Sequence, residues 1–129
     1  MMQQHEFEVR VRYNETDPMG FLHHSHYLTY FEIGRTELLR AAGGSYRRME
    51  EDGRFVVVVK ADIRYRRPAR YDDLLRVHTQ VSRVSAAKIE HEYRITREDE
   101  LLTTATITLA VIDREGNVCR VPDWMQPPA

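Results

Sequence analysis

Between Ser25 and Ala42 the hydrophobic period is that of a helix, and nearly everywhere else it is two. Leu28, Phe31, Arg35, Leu38 and Ala42 keep the three-four spacing of one stripe, which Tyr27, Phe31, Gly34 and Leu38 widen. Ser25 is the expected N-cap and Gly43-Gly44 the stop signal. The pattern predicts a helix of about 18 residues, about 27 Å long. Its apolar face is broad, so it has to lie against something large. Gly34 in its middle costs about 1 kcal/mol relative to Ala. Close approach to a sheet is the simplest reason to keep it.

The remaining segments supply that sheet. From His5 to Tyr13 the chain alternates, with Phe7, Val9, Val11 and Tyr13 on one face and Glu6, Glu8, Arg10 and Arg12 on the other. Asp17, Pro18 and Gly20 break the strand before the helix. Phe55 to Arg66, Leu74 to Arg83, Lys88 to Arg97 and Leu101 to Ile112 read as further strands, the last rich in Thr, Val and Ile. Residues 67–72 and 113–117 are turns, Val118 to Val121 is a short last strand, and Pro122 and the Pro127-Pro128 tail end the domain. Short connections imply antiparallel neighbours. The expected fold class is therefore α+β, with an antiparallel sheet wrapped around one long central helix in the order βαββββ. Such a sheet has long edges, and a homodimer joining two sheets edge to edge would remove that liability.

Composition narrows the function. The 129 residues suit a single domain spanning 1–129, and 42% apolar content is enough for a core. A net charge of −1 argues against bulk nucleic-acid binding, although Arg64, Arg66, Arg67 and Arg70 cluster locally. The single cysteine, Cys119, permits no intramolecular disulfide and fits a reducing compartment. No apolar run approaches the ~20 residues that span a bilayer, and the polar, acidic N-terminus is unlike a signal peptide. The expectation is a cytoplasmic protein with no membrane insertion.

The chemistry gathers where strand gives way to helix. Asp17 lies in the turn, and His23, His24 and Ser25 lie where the helix begins. A helix N-terminus offers unpaired N–H donors and the positive end of a dipole. Those donors can hold an oxyanion forming on a carbonyl. A nearby carboxylate can activate water or attack the carbonyl itself. The pair suits hydrolysis of an activated acyl group without a Ser or Cys nucleophile. The same spacing equally suits a plain turn aspartate making local hydrogen bonds. Asp17, His24 and His26 imitate a two-nitrogen, one-carboxylate metal set, but three residues in four cannot all point inward, and no metal is expected. Cys119, beside Arg120 with no nearby His, reads as a plain thiol. No G-x-S-x-G, P-loop or G-x-G-x-x-G occurs. Gly43-Gly44-Ser45 follows a helix, as a cap does, and the Tyr27/Phe31 stripe reads as core.

These residues resemble a known family. Tyr13, the turn Thr16-Asp17-Pro18-Met19-Gly20, His24, Tyr27, Phe31-Glu32 and Arg35-Thr36-Glu37-Leu38-Leu39 are similar to the hotdog-fold acyl-CoA thioesterases related to 4-hydroxybenzoyl-CoA thioesterase. The likeness is greatest to the small bacterial short-chain enzymes linked to the Tol–Pal system. Pro68-Ala69-Arg70-Tyr71-Asp72-Asp73-Leu74 is a second match. The resemblance implies a dimer, often assembled further into a homotetramer, with its site at the dimer interface. It puts the essential carboxylate on Asp17, accompanying side chains on Tyr13 and His24, and an oxyanion donor at the backbone of His24. It implies acyl-CoA as substrate, no cofactor, and a lining from Val57, Val58 and Val59 of a second copy. Arg66, Arg67, Arg83 and Lys88 are candidates for the coenzyme A phosphates. His23, where many relatives carry an aromatic, and the bulky Met19 are departures that leave acyl length open. The alternatives are a hotdog hydratase or dehydratase and a non-catalytic acyl-CoA-binding dimer.

Overall fold

The computed structural model describes residues 3–126, so the Pro127-Pro128 tail lies outside the described residues. Six strands and two helices follow in the order β1 (Gln4–Arg10), α1 (His24–Ala41), α2 (Tyr46–Glu51), β2 (Phe55–Tyr65), β3 (Leu74–Val84), β4 (Lys88–Arg97), β5 (Glu100–Ile112) and β6 (Val118–Cys119). All pairings are antiparallel, in the sheet order β1-β3-β4-β5-β2, with β6 on the end of β5. This is the expected α+β hotdog arrangement. The core forms where the inward residues of β3, β4 and β5, among them Leu75, Val77, Ile95, Leu102 and Ile107, meet Tyr27, Tyr30 and Phe31 of α1.

The helix buries Tyr27, Tyr30, Phe31, Gly34, Leu38 and Leu39, whereas Leu28, placed on the stripe by its spacing, is 45% exposed. The buried face is centred on the Tyr27–Phe31–Gly34–Leu38 row, and at Gly34 it lies close against the sheet. A Cβ built there would stand 2.3 Å from Thr79 Oγ1 on β3. Close approach to a sheet is the reason for this glycine.

Several boundaries differ from the sequence pattern. The first strand ends at Arg10, because the chain turns into a short 3-10 segment at Tyr13–Glu15, where Glu15 Oε1 accepts from the Arg12 N–H. The N-cap of α1 is His23, whose Nδ1 accepts from the Ser25 N–H at 3.2 Å, so Ser25 lies inside the helix. α2 had no strong periodicity to announce it; Ser45 Oγ caps it by accepting from the Arg48 N–H. β6 is shorter than Val118–Val121. Short connections join neighbours at β3–β4 and β4–β5 but not at β2–β3. Residues 66–73 instead cross the end of the sheet from one edge strand to the far side of β4. That crossover supports the site described below.

Two predictions follow from this interior. Helix propensity alone would make Gly34→Ala stabilising by about 1 kcal/mol. The contact with Thr79 reverses the sign, and a loss of about 1–3 kcal/mol is expected in urea unfolding, relieved in a Thr79→Ala background. The second concerns His91 on β4, which is 4% exposed, with Nδ1 buried and without a hydrogen-bond partner. Burial, aided by the nearby Arg35 guanidinium, pushes its pKa from 6.5 down to about 4. The unfolded chain therefore binds the proton more readily. Stability from neutral His91 is complete above about pH 6.5 and is lost as pH falls through about 4, on the order of 3 kcal/mol in all. His78 is also lowered, chiefly by burial, and adds in the same direction. Unfolding midpoints between pH 8 and pH 4.5 should fall less steeply in His91→Leu than in the parent protein.

Candidate active site

Asp17 stands in a tight loop whose ends are bridged by Thr16 and Leu22. Its backbone N–H donates to the Phe21 carbonyl at 2.8 Å, and its carbonyl accepts from the Gly20 N–H at 2.9 Å. Gly20 has a φ of +79°, which a side chain would resist. The Asp17 carboxylate is held by one oxygen: Oδ1 accepts from the Met19 N–H at 2.9 Å and the Phe21 N–H at 3.1 Å. The local hydrogen bonds of a turn aspartate are thus present. They also fix the direction of the carboxylate, leaving Oδ2 with no hydrogen bond among the described residues.

The β2–β3 crossover braces this loop. The Leu22 N–H donates to the Ala69 carbonyl, Phe21 bridges to Arg70, and the Tyr71 N–H donates to the Gly20 carbonyl. The Arg70 guanidinium lies over the Phe21 ring at 5.2 Å. The loop then runs directly into α1. His23 donates its N–H to the Glu15 carbonyl at 2.9 Å, and the His26 N–H donates to the His23 carbonyl at 3.0 Å. Ser25 is satisfied by the His23 ring. The His24 N–H, first donor of the helix, makes no hydrogen bond among the described residues. It is free to meet an oxyanion.

The imidazoles of this segment pack on one another. His24 stacks on His23 at 4.2 Å, and His26 meets His23 edge-on at 6.5 Å. Among the described residues no three His, Cys, Asp or Glu side chains are placed to hold a metal ion. Tyr13 is 78% exposed, with its ring against Tyr71 at 5.0 Å and no hydrogen bond to Asp17 or His24. Tyr27 is buried and meets Tyr65, at the end of β2, edge-on at 5.0 Å.

The other candidates separate into two groups. Arg66 and Arg67 begin the crossover at the Asp17 end, where both N–H groups donate to the Leu102 carbonyl and Arg67 pairs with Glu100 at 3.3 Å. Arg83 and Lys88 lie at the other end of the sheet. There they line a cleft of about 400 Å³ together with Val59, Lys60 and Ser85. Six strand residues, about 20 Å, separate Val59 from Tyr65. Val57 is half-buried, while Val58 and Val59 are 49% and 53% exposed beside a bulge on the free edge of β2. Within one chain the valines are therefore remote from Asp17. The residue that spacing alone did not single out is Glu15, a carboxylate only 7% exposed beneath the loop. Its one sequence signal was its position two residues before Asp17.

Residues 11–128 match the model of the thioesterase-like superfamily. The acyl-CoA thioesterase YbgC of Haemophilus influenzae is 41% identical over 108 residues, covering 83% of this chain and 79% of that protein. The acyl-CoA thioester hydrolase YbgC of Escherichia coli O6:H1 is 32% identical over 106 residues, 81% and 79% of the two chains. Among solved structures, the DHNA-CoA thioesterase of Staphylococcus aureus superposes with a TM-score of 0.88 at 30% identity, covering 92% of this chain and 81% of that one. With its family match running almost the length of the chain and its sheet and helix superposing on a solved thioesterase, this protein belongs to the thioesterase-like superfamily, as a hotdog-fold thioester hydrolase.

Proposed function

We propose that the chain hydrolyses the thioester of a small acyl-CoA, with Asp17 as general base or nucleophile and the His24 N–H as oxyanion donor. One observation carries this reading: the Asp17 carboxylate is anchored through a single oxygen in a loop that feeds straight into a helix whose first N–H, that of His24, makes no hydrogen bond among the described residues. In the general-base form, Asp17 takes a proton from water and the hydroxide adds to the thioester carbonyl. The His24 N–H and the helix dipole stabilise the resulting oxyanion. Collapse breaks the C–S bond and expels the thiolate of coenzyme A, which takes up the proton. The His24 ring and the Tyr13 hydroxyl position substrate or water. The names of the YbgC relatives support acyl-CoA as the substrate class.

A second copy completes the site in this reading. The free edge of β2 exposes Val58, Val59 and Tyr65, a surface that monomers rarely leave bare. Antiparallel pairing of two such edges about a two-fold axis sends Val57–Val59 of one copy to the Tyr65 end of the other. The valines then line the partner's acyl pocket. The same operation carries the cleft of Arg83 and Lys88 towards the partner's Asp17, where those cations would meet coenzyme A phosphates, with Arg66 and Arg67 as the cations already at that end.

Asp17→Asn tests the chemistry cleanly, because Asn Oδ1 still accepts from Met19 and Phe21 while the basic oxygen is lost. Thiol release from a panel of short, medium, long and aromatic acyl-CoA esters should fall at least ~100-fold in kcat with the fold intact. Full activity in the variant sinks the assignment, and a hydroxyacyl product without free thiol points to a hydratase. The interface is tested by Val58→Lys with Val59→Lys. Sedimentation should show a monomer, and activity should drop at least ~10-fold although Asp17 is untouched. An active monomer refutes the shared site.

A further inference from the structure

We propose that Glu15 is a positioning residue that holds the Asp17 loop in register with the start of α1; the proposal rests on the hydrolase reading above. Its carboxylate Oε1 accepts from the Tyr30 hydroxyl at 2.8 Å and from the Arg12 N–H at 2.8 Å, while its own carbonyl accepts from the His23 N–H at 2.9 Å. One residue thereby ties together the beginning of the loop at Arg12, its end at His23 and the second turn of α1 at Tyr30. Asp17 and the His24 N–H lie on opposite limbs of that loop. Glu15 is the buried crosslink between them.

The chemistry of this crosslink is not what stability requires. A buried carboxylate is costly, and an apolar side chain of similar volume commonly serves as well or better. Glu15 Oε2 stands 4.0 Å from His26 Nδ1, beyond hydrogen-bond reach, so the neutral donors on Oε1 do the holding. Burial and the Glu15 carboxylate keep Tyr30 well above the ordinary tyrosine range, so its hydroxyl remains a donor. What the clamp supplies is position. A carboxylate and an oxyanion donor that act on one carbonyl have to be held to about 0.5 Å. A displacement of about 1 Å costs on the order of 100-fold in rate.

Three variants separate positioning from bulk stability. Glu15→Gln presents a carbonyl oxygen to the same two donors. Glu15→Leu fills the space and accepts nothing. Tyr30→Phe removes one hydroxyl from a ring that stays packed. Glu15→Leu and Tyr30→Phe should lower kcat about 10- to 100-fold with KM within about threefold, and Glu15→Gln should restore kcat to within about threefold of the parent. Amide exchange at Met19 and Phe21, whose N–H groups bind Asp17, should quicken at least ~10-fold in Glu15→Leu and Tyr30→Phe and not in Glu15→Gln, while β5 amides stay unchanged. Unchanged exchange at both amides in Tyr30→Phe and Glu15→Leu, or a Gln variant as impaired as Leu, overturns the proposal. Should Glu15→Leu fail to fold, Tyr30→Phe decides. If the parent protein releases no thiol from any ester, the hydrolase reading falls by itself, and the exchange comparison still decides what Glu15 holds.

Discussion

Everything in this molecule is arranged around the burial of one face of α1. Tyr27, Tyr30, Phe31 and Leu38 are almost wholly removed from solvent. A curved antiparallel sheet is the surface large enough to cover them. The covering is tight only because Gly34 lets the helix backbone come down onto Thr79. With a larger residue there the helix would stand further from β3.

Wrapping has a topological consequence that shapes the Asp17 loop. For the sheet to close over the helix, β1 and β2 take opposite edges. The chain leaving β2 then has to cross the end of the sheet to reach β3. The crossover carries Ala69, Arg70 and Tyr71 under the loop that precedes α1 and donates or accepts the hydrogen bonds that shape it. Asp17 is thereby gripped on three sides: by its own turn, by the crossover, and through Glu15 by the helix. Its carboxylate is fixed in a loop that runs into the helix start, where the His24 N–H makes no hydrogen bond among the described residues.

The same topology leaves one long edge of β2 unpaired among the described residues. The Asp17 end of β2 carries the loop and helix start, whereas the exposed valines and the Arg83–Lys88 cleft lie at the other end. A two-fold axis through the free β2 edge would bring the two halves together twice. Symmetry would then build two sites from two incomplete ones, and it would cover the edge that a solitary sheet leaves open.

The sequence by itself determined most of the elements and drew attention to the junction of Asp17 and the start of α1. Periodicity is a local property, so the helix, its glycine, most of the strands and the Asp17–His24 junction could be read directly. Where local signals were weak or composite the reading slipped: Ser25 gave way to His23 as cap, Leu28 faced out, and α2 had too few turns to show a period. Only the tertiary structure decided which strands pair, because a short connection favours neighbours yet β2 and β3 are not neighbours. It alone revealed the buried Glu15, whose carboxylate accepts from the Tyr30 hydroxyl fifteen residues away. It alone split the basic candidates into two clusters, since charge along a chain says nothing of which end of a sheet a residue reaches. Those facts belong to contacts between distant segments, and a one-dimensional pattern carries no record of them.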